Sequence, residues 1–201
     1  NTEIHIDTSV PKLLRASEEK FLTRWFESPP TGPIVLAGPV AAGRSYLIKS
    51  VLSERKMTIY VDFRRAPVVT GEEYIGSFVA AAGYLIPQAT EIMRMFTREE
   101  QRKTKITPQE AERALSVILD ALQDCKARKW VDGIPLICLD DVTVSGIKGP
   151  NGNLELDQFW TKFLDWCAYI SDAKLAHVVF VPSQSYEPHS PLYDHPIFRS
   201  K

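Results

Sequence analysis

Cysteine is scarce in this chain. Its three residues, Cys125, Cys138 and Cys167, are odd in number, widely spaced and set in apolar patterns. That excludes a disulfide framework and the paired spacing of a zinc site, and points to reduced core residues. Excess charge of either sign is also lacking: the formal net charge is −1, so no sequence-independent attraction to nucleic acid or an anionic membrane is expected. No apolar run is long enough to cross a bilayer, and there is neither a signal-peptide pattern nor an internal repeat. Histidines are few. His5, His189 and His195 have no acid or cysteine at ligand spacing, and His177, inside an apolar run, reads as a satisfied core residue.

What remains is an ordinary globular composition. At 201 residues, 44% hydrophobic and 24% charged, the chain suits one α/β domain with a substantial core. Its most informative stretch is Gly38-Pro39-Val40-Ala41-Ala42-Gly43-Arg44-Ser45. This fits the phosphate-binding pattern G-x-x-x-x-G-K-[ST] at every defined position except the lysine, which is Arg44. Pro33 to Ala37 reads as a buried strand before it, and Tyr46 to Leu52 as a helix after it. Glycines let the backbone bring its N–H groups close to an anion, and the helix N-terminus adds unpaired donors and partial positive charge. Ser45 stands where a hydroxyl would ligate Mg²⁺. The plainer alternative is a glycine turn that merely joins a strand to a helix.

Around this loop the pattern alternates helix and strand. Ser17 can cap a helix whose Phe21, Leu22, Trp25 and Phe26 share one face. Val10 and Pro11, in the lead-in, are candidates for contact with a base. Met57 to Phe63 is a second strand; Arg64 and Arg65 after it read as a solvated pair, with nucleotide or partner contact as the alternative. A helical stretch starts at Gly71 and continues to Leu85, Pro87 breaks it, and Ala89 to Phe96 is another short helix. Arg98 to Lys105 is a mixed-charge exposed run. Thr107-Pro108-Gln109-Glu110 is a capping box with proline at the first helical position, opening a helix to about Lys126.

The second informative stretch is Ile134 to Asp141: apolar residues ending in paired acids, as in a buried parallel strand that delivers carboxylates to its carboxyl end. A strand-end turn would also explain Asp140 and Asp141. Thr143 to Asn153 is a turn-rich loop, followed by a helical apolar stripe from Leu156 to Ile170. Ala176 to Val181 is a fourth strand buried on both faces, ending in Ser183 and Gln184.

Together these pieces resemble the nucleotide-binding core of AAA+ and STAND P-loop ATPases, with Leu139-Asp140-Asp141-Val142 similar to the Asp-Asp form of the Walker B element. A narrower likeness, carried by Ala80 to Tyr84, Leu164-Asp165-Trp166, Ala176 to Phe180 and Ile197-Phe198-Arg199, is to the ATPase module of the mitochondrial escape protein family. The resemblance implies an α/β P-loop three-layer sandwich with a parallel sheet in the order 5-1-4-3-2, and a C-terminal helical lid, which we do not expect within 1–201. It implies ATP or ADP and Mg²⁺ as cofactors. Gly38, Pro39, Ala41, Ala42, Gly43, Arg44, Ser45 and Tyr46 would surround the nucleotide, and Ser45 and Asp140 would serve the metal. Asp141 would activate water, and Ser183 (or Gln184) would sense the γ-phosphate.

Other subunits of the same or another protein are the implied partners, with Arg199 a candidate arginine for a neighbour's site. The expected location is intracellular, and the narrower likeness extends that to the mitochondrion. The start at Asn1 and the end at Lys201 lead us to expect a single P-loop domain over 1–201, excised from a longer protein. Arg44 departs from the pattern: a planar guanidinium does not fit where a slim ammonium does. Asp141 is one methylene shorter than the glutamate of many relatives. Both weaken hydrolysis more than binding, so a slow ATPase stands beside a nucleotide-independent interaction scaffold. A nucleotide kinase is disfavoured because no basic lid segment is evident.

Overall fold

The strand Leu136–Val142 (β3) is the axis of the molecule, and its sequence explains why. Leu136 to Asp140 are all buried, as required of a central parallel strand covered on both faces. On one side it pairs in parallel with Thr58–Asp62 (β2), in a register running from Thr58 opposite Leu136 to Asp62 opposite Asp140. On the other it pairs with His177–Pro182 (β6), which in turn pairs with Ile34–Val35 (β1). The computed structural model describes residues 4, 15–39, 41–65, 71–83, 107–129, 133–142, 147–148, 154–155 and 158–183. Among these the main sheet has four parallel strands in the order β1-β6-β3-β2. Counted along this sheet alone, that is 1-4-3-2; a fifth strand would lie outside the described residues.

Side-chain alternation along the strands separates two apolar layers. Val61, Ile137, Leu139, Val178 and Phe180 face Gly71–Ala81 (α3), Pro108–Arg128 (α4) and Gln158–Asp172 (α5). Tyr60, Leu136, Cys138, Val179 and Val181 face Ala16–Glu27 (α1) and Arg44–Leu52 (α2). Helices thus cover both faces of the sheet. The α3–α5 layer is the aromatic one: Phe78 and Phe163 pack with ring centroids 5.4 Å apart, and Trp160 is buried beside them. Cys138 and Cys167 are buried free thiols, as their patterns imply; Cys125 is also free but only half-buried, at the edge of the core its pattern suggests. Burial pushes the thiols of Cys138 and Cys167 up, so they stay neutral.

Several expectations need correction. Ser17 does not cap α1: the N-cap is Arg15, two residues earlier, and the Ser17 hydroxyl donates to Glu18 at 2.5 Å instead. Leu22 and Phe26 are buried and Trp25 half-buried, but Phe21 is 67% exposed because its position on the helix turns it out of the layer. β1 is shorter than the apolar run suggests, and only half-buried. The turn-rich stretch after β3 contains a short strand, Ile147–Lys148 (β4), which pairs antiparallel with Leu154–Glu155 (β5) just beyond it. The helix expected over 89–96, the charged run 98–105, Val10, Pro11, Gln184, Arg199 and the histidines at 5, 189 and 195 lie outside the described residues.

The capping box forms as its sequence requires. The Glu110 N–H donates to Thr107 Oγ1 at 3.3 Å, and the Thr107 N–H donates to the Glu110 carboxylate at 2.9 Å. The helix ends at Arg128, where Lys129 takes a left-handed conformation (φ 49°). Thr107→Ala is expected to lower stability by about 1 kcal/mol, read as a shift in urea midpoint at constant slope.

Candidate functional site

The loop from β1 to α2 is shaped by its backbone. The Leu36 N–H bonds to the Phe180 carbonyl at 2.8 Å, holding the start of the loop to the sheet. The Ala42 N–H closes a turn on Pro39 O at 3.2 Å. Ala41 (φ 60°) and Gly43 (φ 73°) are both left-handed, a conformation free of penalty for Gly43 and strained for Ala41. Gly43 is the N-cap of α2 and brings no side chain to the first-turn N–H groups. Tyr46 is half-buried in that turn. Val40 lies outside the described residues.

Arg44 is only 9% exposed. A β-carbon placed on Gly38 would sit 3.5 Å from its Cδ and 3.8 Å from its Cγ, so Gly38 leaves room for the arginine stem. Arg44 also lines a cavity of about 740 Å³ between the loop and α1. Pro39, Ala42 and Leu47 form one wall, Phe21, Leu22 and Trp25 the other, with Arg15 and Glu18 at its edge.

Across the sheet, strand parity and register dictate what meets α2. Tyr60 and Asp62 share a face of β2, Cys138 and Asp140 the same face of β3, and Asp62 stands opposite Asp140. That is the α2 face, so Ser45 Oγ donates to Asp140 Oδ1 at 2.8 Å. The Tyr60 hydroxyl donates to the other carboxylate oxygen, Oδ2, and Arg64 Nη2 lies 3.5 Å from that oxygen. Asp140 is 0% exposed, and both its oxygens are engaged. Asp62 accepts from Arg64 three times: Nε at 2.9 Å, Nη2 at 2.7 Å and the backbone N–H at 3.1 Å. Lys49, one turn beyond Ser45 on α2, reaches the same carboxylate at 3.5 Å and lies over the Tyr60 ring.

The electrostatics follow. Burial, then the charge of Asp140, drives the Tyr60 phenol far up, so it stays a donor. Burial would raise Asp62, but the hydrogen bonds and charge of Arg64, with Lys49, outweigh it and hold this carboxyl below its ordinary range. The bonds to Asp62 raise Arg64, which stays charged. Asp141 is shifted upward by burial, against the pull of Arg64, with Asp140 and Asp62 adding to the rise. It occupies a left-handed position (φ 62°) where the β3–β6 register is interrupted between Asp140 and Val142. Just beyond, the Ser183 N–H donates to Val142 O at 3.0 Å, which brings half-buried Ser183 to the same carboxyl edge as the acids.

No family model, curated protein or solved structure matches this chain. The structure brings Ser45, Asp140, Asp141 and Ser183 to the carboxyl ends of parallel strands, where open α/β sheets bind ligands. Three participants are not singled out by the sequence: Tyr60, Asp62 and Lys49. Arg64 is not simply solvated but pinned between two acids. The available signal was the even spacing Tyr60-Asp62 beside Cys138-Asp140, which becomes a contact only once the two strands are in register. Among the described residues, no group of three or more His, Cys, Asp or Glu could hold a metal ion, and no helix is long and apolar enough to cross a membrane.

Proposed function

We propose that this chain is a P-loop module of the AAA+ and STAND kind that takes ATP or ADP with Mg²⁺ at the carboxyl edge of its sheet. The observation that carries the reading is the Ser45–Asp140 hydrogen bond. It joins a glycine-loop hydroxyl to the acid of a central strand 95 residues away, at a helix N-terminus shaped for an anion. The pair suits the metal: a hydroxyl and a carboxylate 2.8 Å apart are hard oxygen donors of the kind magnesium and its bound waters take. Mg²⁺, when bound, would neutralise phosphate charge. Gly38, Pro39, Ala41, Ala42, Gly43 and the first turn of α2 through Tyr46 would bind phosphate by backbone N–H groups, with Arg44 adding charge. Asp140, fixed by Tyr60, would orient the metal's waters. Asp141, with its proton affinity raised by burial, would accept a proton from water, and Ser183 would sense the γ-phosphate.

Titration calorimetry with Mg-ATP and Mg-ADP tests this: heat of binding and a raised unfolding temperature are expected. No heat and no stabilisation at millimolar nucleotide, in a chain that includes any lid, would sink it. Arg44→Lys is expected to speed ATP hydrolysis at least tenfold, about 1.4 kcal/mol off the barrier; turnover no faster than the parent's would clear the arginine of limiting it.

A second reading, a nucleotide-independent interaction scaffold, is favoured by one arrangement. Both oxygens of Asp140 are satisfied by Ser45 and Tyr60, and Arg44 is packed against Gly38, so the site is stable without a ligand. The same calorimetry separates the two.

A further inference from the structure

Arg64 stands out when each charged group near the sheet edge is asked what it serves. Asp62 already has a cation, Lys49, reaching it from α2 within the layer. Arg64 supplies a second from the open side. Its side chain is 46% exposed, whereas those of Asp62 and Asp140 are 11% and 0%. Asp62 clamps the guanidinium along its Nε–Nη2 edge and also accepts the Arg64 backbone N–H, so backbone and plane are fixed together. Nη1 has no acceptor among the described residues. The remaining edge of a rigidly held, permanently charged fork is thus presented beside Asp140, at the end of the sheet where the glycine loop also opens.

We infer that Arg64 is a same-chain phosphate donor, oriented by Asp62, that recognises the terminal phosphate of a nucleoside triphosphate. The inference rests on the nucleotide reading above. It assigns a job distinct from that of Arg44: Arg44 lines the cavity under α1 and acts on Asp141 by charge, whereas Arg64 is clamped by Asp62 and lies 3.5 Å from Asp140. Lys49 and Asp62 are positioning residues, since they act on phosphate only through the guanidinium. Pre-orientation matters because an arginine that need not be ordered on binding keeps more of each charged hydrogen bond as affinity.

Calorimetry of the parent, Arg64→Lys and Asp62→Asn with Mg-ATP and Mg-ADP tests the assignment. An ammonium at position 64 cannot serve Asp62 and a phosphate with two edges at once. Arg64→Lys is therefore expected to weaken ATP binding roughly tenfold, with ADP affinity within about twofold of the parent. Asp62→Asn, which keeps the arginine but loosens its clamp, is expected to shift the ATP-to-ADP ratio the same way by a smaller factor. It also keeps the inference open to test if Arg64→Lys does not fold. An unchanged ratio in both variants, or equal losses on ATP and ADP, overturns the Arg64 assignment alone. A parent that binds neither nucleotide overturns the nucleotide reading and this inference with it.

Discussion

Replacing Asp140 by alanine is expected to remove about 3–5 kcal/mol of folding stability, enough to unfold many domains of this size. The carboxylate is fully buried and is the shared acceptor of the Ser45 hydroxyl, the Tyr60 hydroxyl and, more distantly, Arg64. Its loss leaves the buried Tyr60 phenol and the Ser45 hydroxyl without their acceptor, and uncompensated buried polar groups are what make single substitutions severe. Asp140→Asn keeps the shape and one acceptor oxygen, so a loss of about 1–2 kcal/mol is expected, together with loss of any Mg²⁺-dependent gain in nucleotide affinity. Urea unfolding of the two variants reads the difference. An alanine variant that loses less than about 1 kcal/mol would mean that the network around β3 contributes little to the fold.

The second large effect is acid lability from His177. This residue opens β6, is 0% exposed, and packs against Trp25 and Phe26 with ring centroids 4.7 and 5.7 Å away. Among the described residues neither ring nitrogen has a well-formed hydrogen-bond partner. Burial first, then the nearby Arg55 charge, lowers its pKa to about 4 from an ordinary 6.5. The carbonyls of Phe26 and Ser28 favour the charged ring, but too weakly to reverse this and without well-formed bonds. Because the folded value is below the unfolded one, the unfolded chain takes up the proton first as pH falls. Stability is therefore complete above about pH 6.5 and lost progressively down to about pH 4. At 1.36 kcal/mol per pH unit the whole window is worth about 3 kcal/mol, roughly 2 of it gone by pH 5.

His177→Leu is expected to flatten the stability profile over that range, whatever it does to stability at neutral pH. Parallel profiles for parent and variant would show that the ring titrates normally. Asp62, depressed by Arg64 and Lys49, contributes in a separate window: its share is present above its ordinary value near 3.8 and fades in stronger acid.

What the sequence disclosed tracks how local the physics is. Thr107-Pro108-Gln109-Glu110 announces α4 because every partner in the cap lies within four residues. Leu136 to Asp140 announces a central strand because burial on both faces demands an unbroken apolar run. The α/β class and the parallel sheet followed from these and from the alternation of elements. The glycine pattern locates its loop, but the direction taken by Arg44 depends on packing against Gly38 that no motif encodes. Ser17 and Phe21 misled because a capping residue and an apolar stripe fit two neighbouring helix starts equally well, and tertiary packing chose one. His177 looked satisfied because buried polar groups generally are; only its neighbours reveal otherwise. The Tyr60–Asp62–Arg64 cluster required the β2–β3 register, which joins residues about eighty positions apart.

The interruption in β3 has its own consequence. Asp140 and Val142 take successive partners on β6, Val181 and Pro182, so Asp141 is a supernumerary residue between two rungs of the ladder. The sheet therefore does not select what stands there, beyond a side chain that tolerates a left-handed backbone. A substitution at this one place removes a side chain from the edge without unpairing a rung of the strand that carries it.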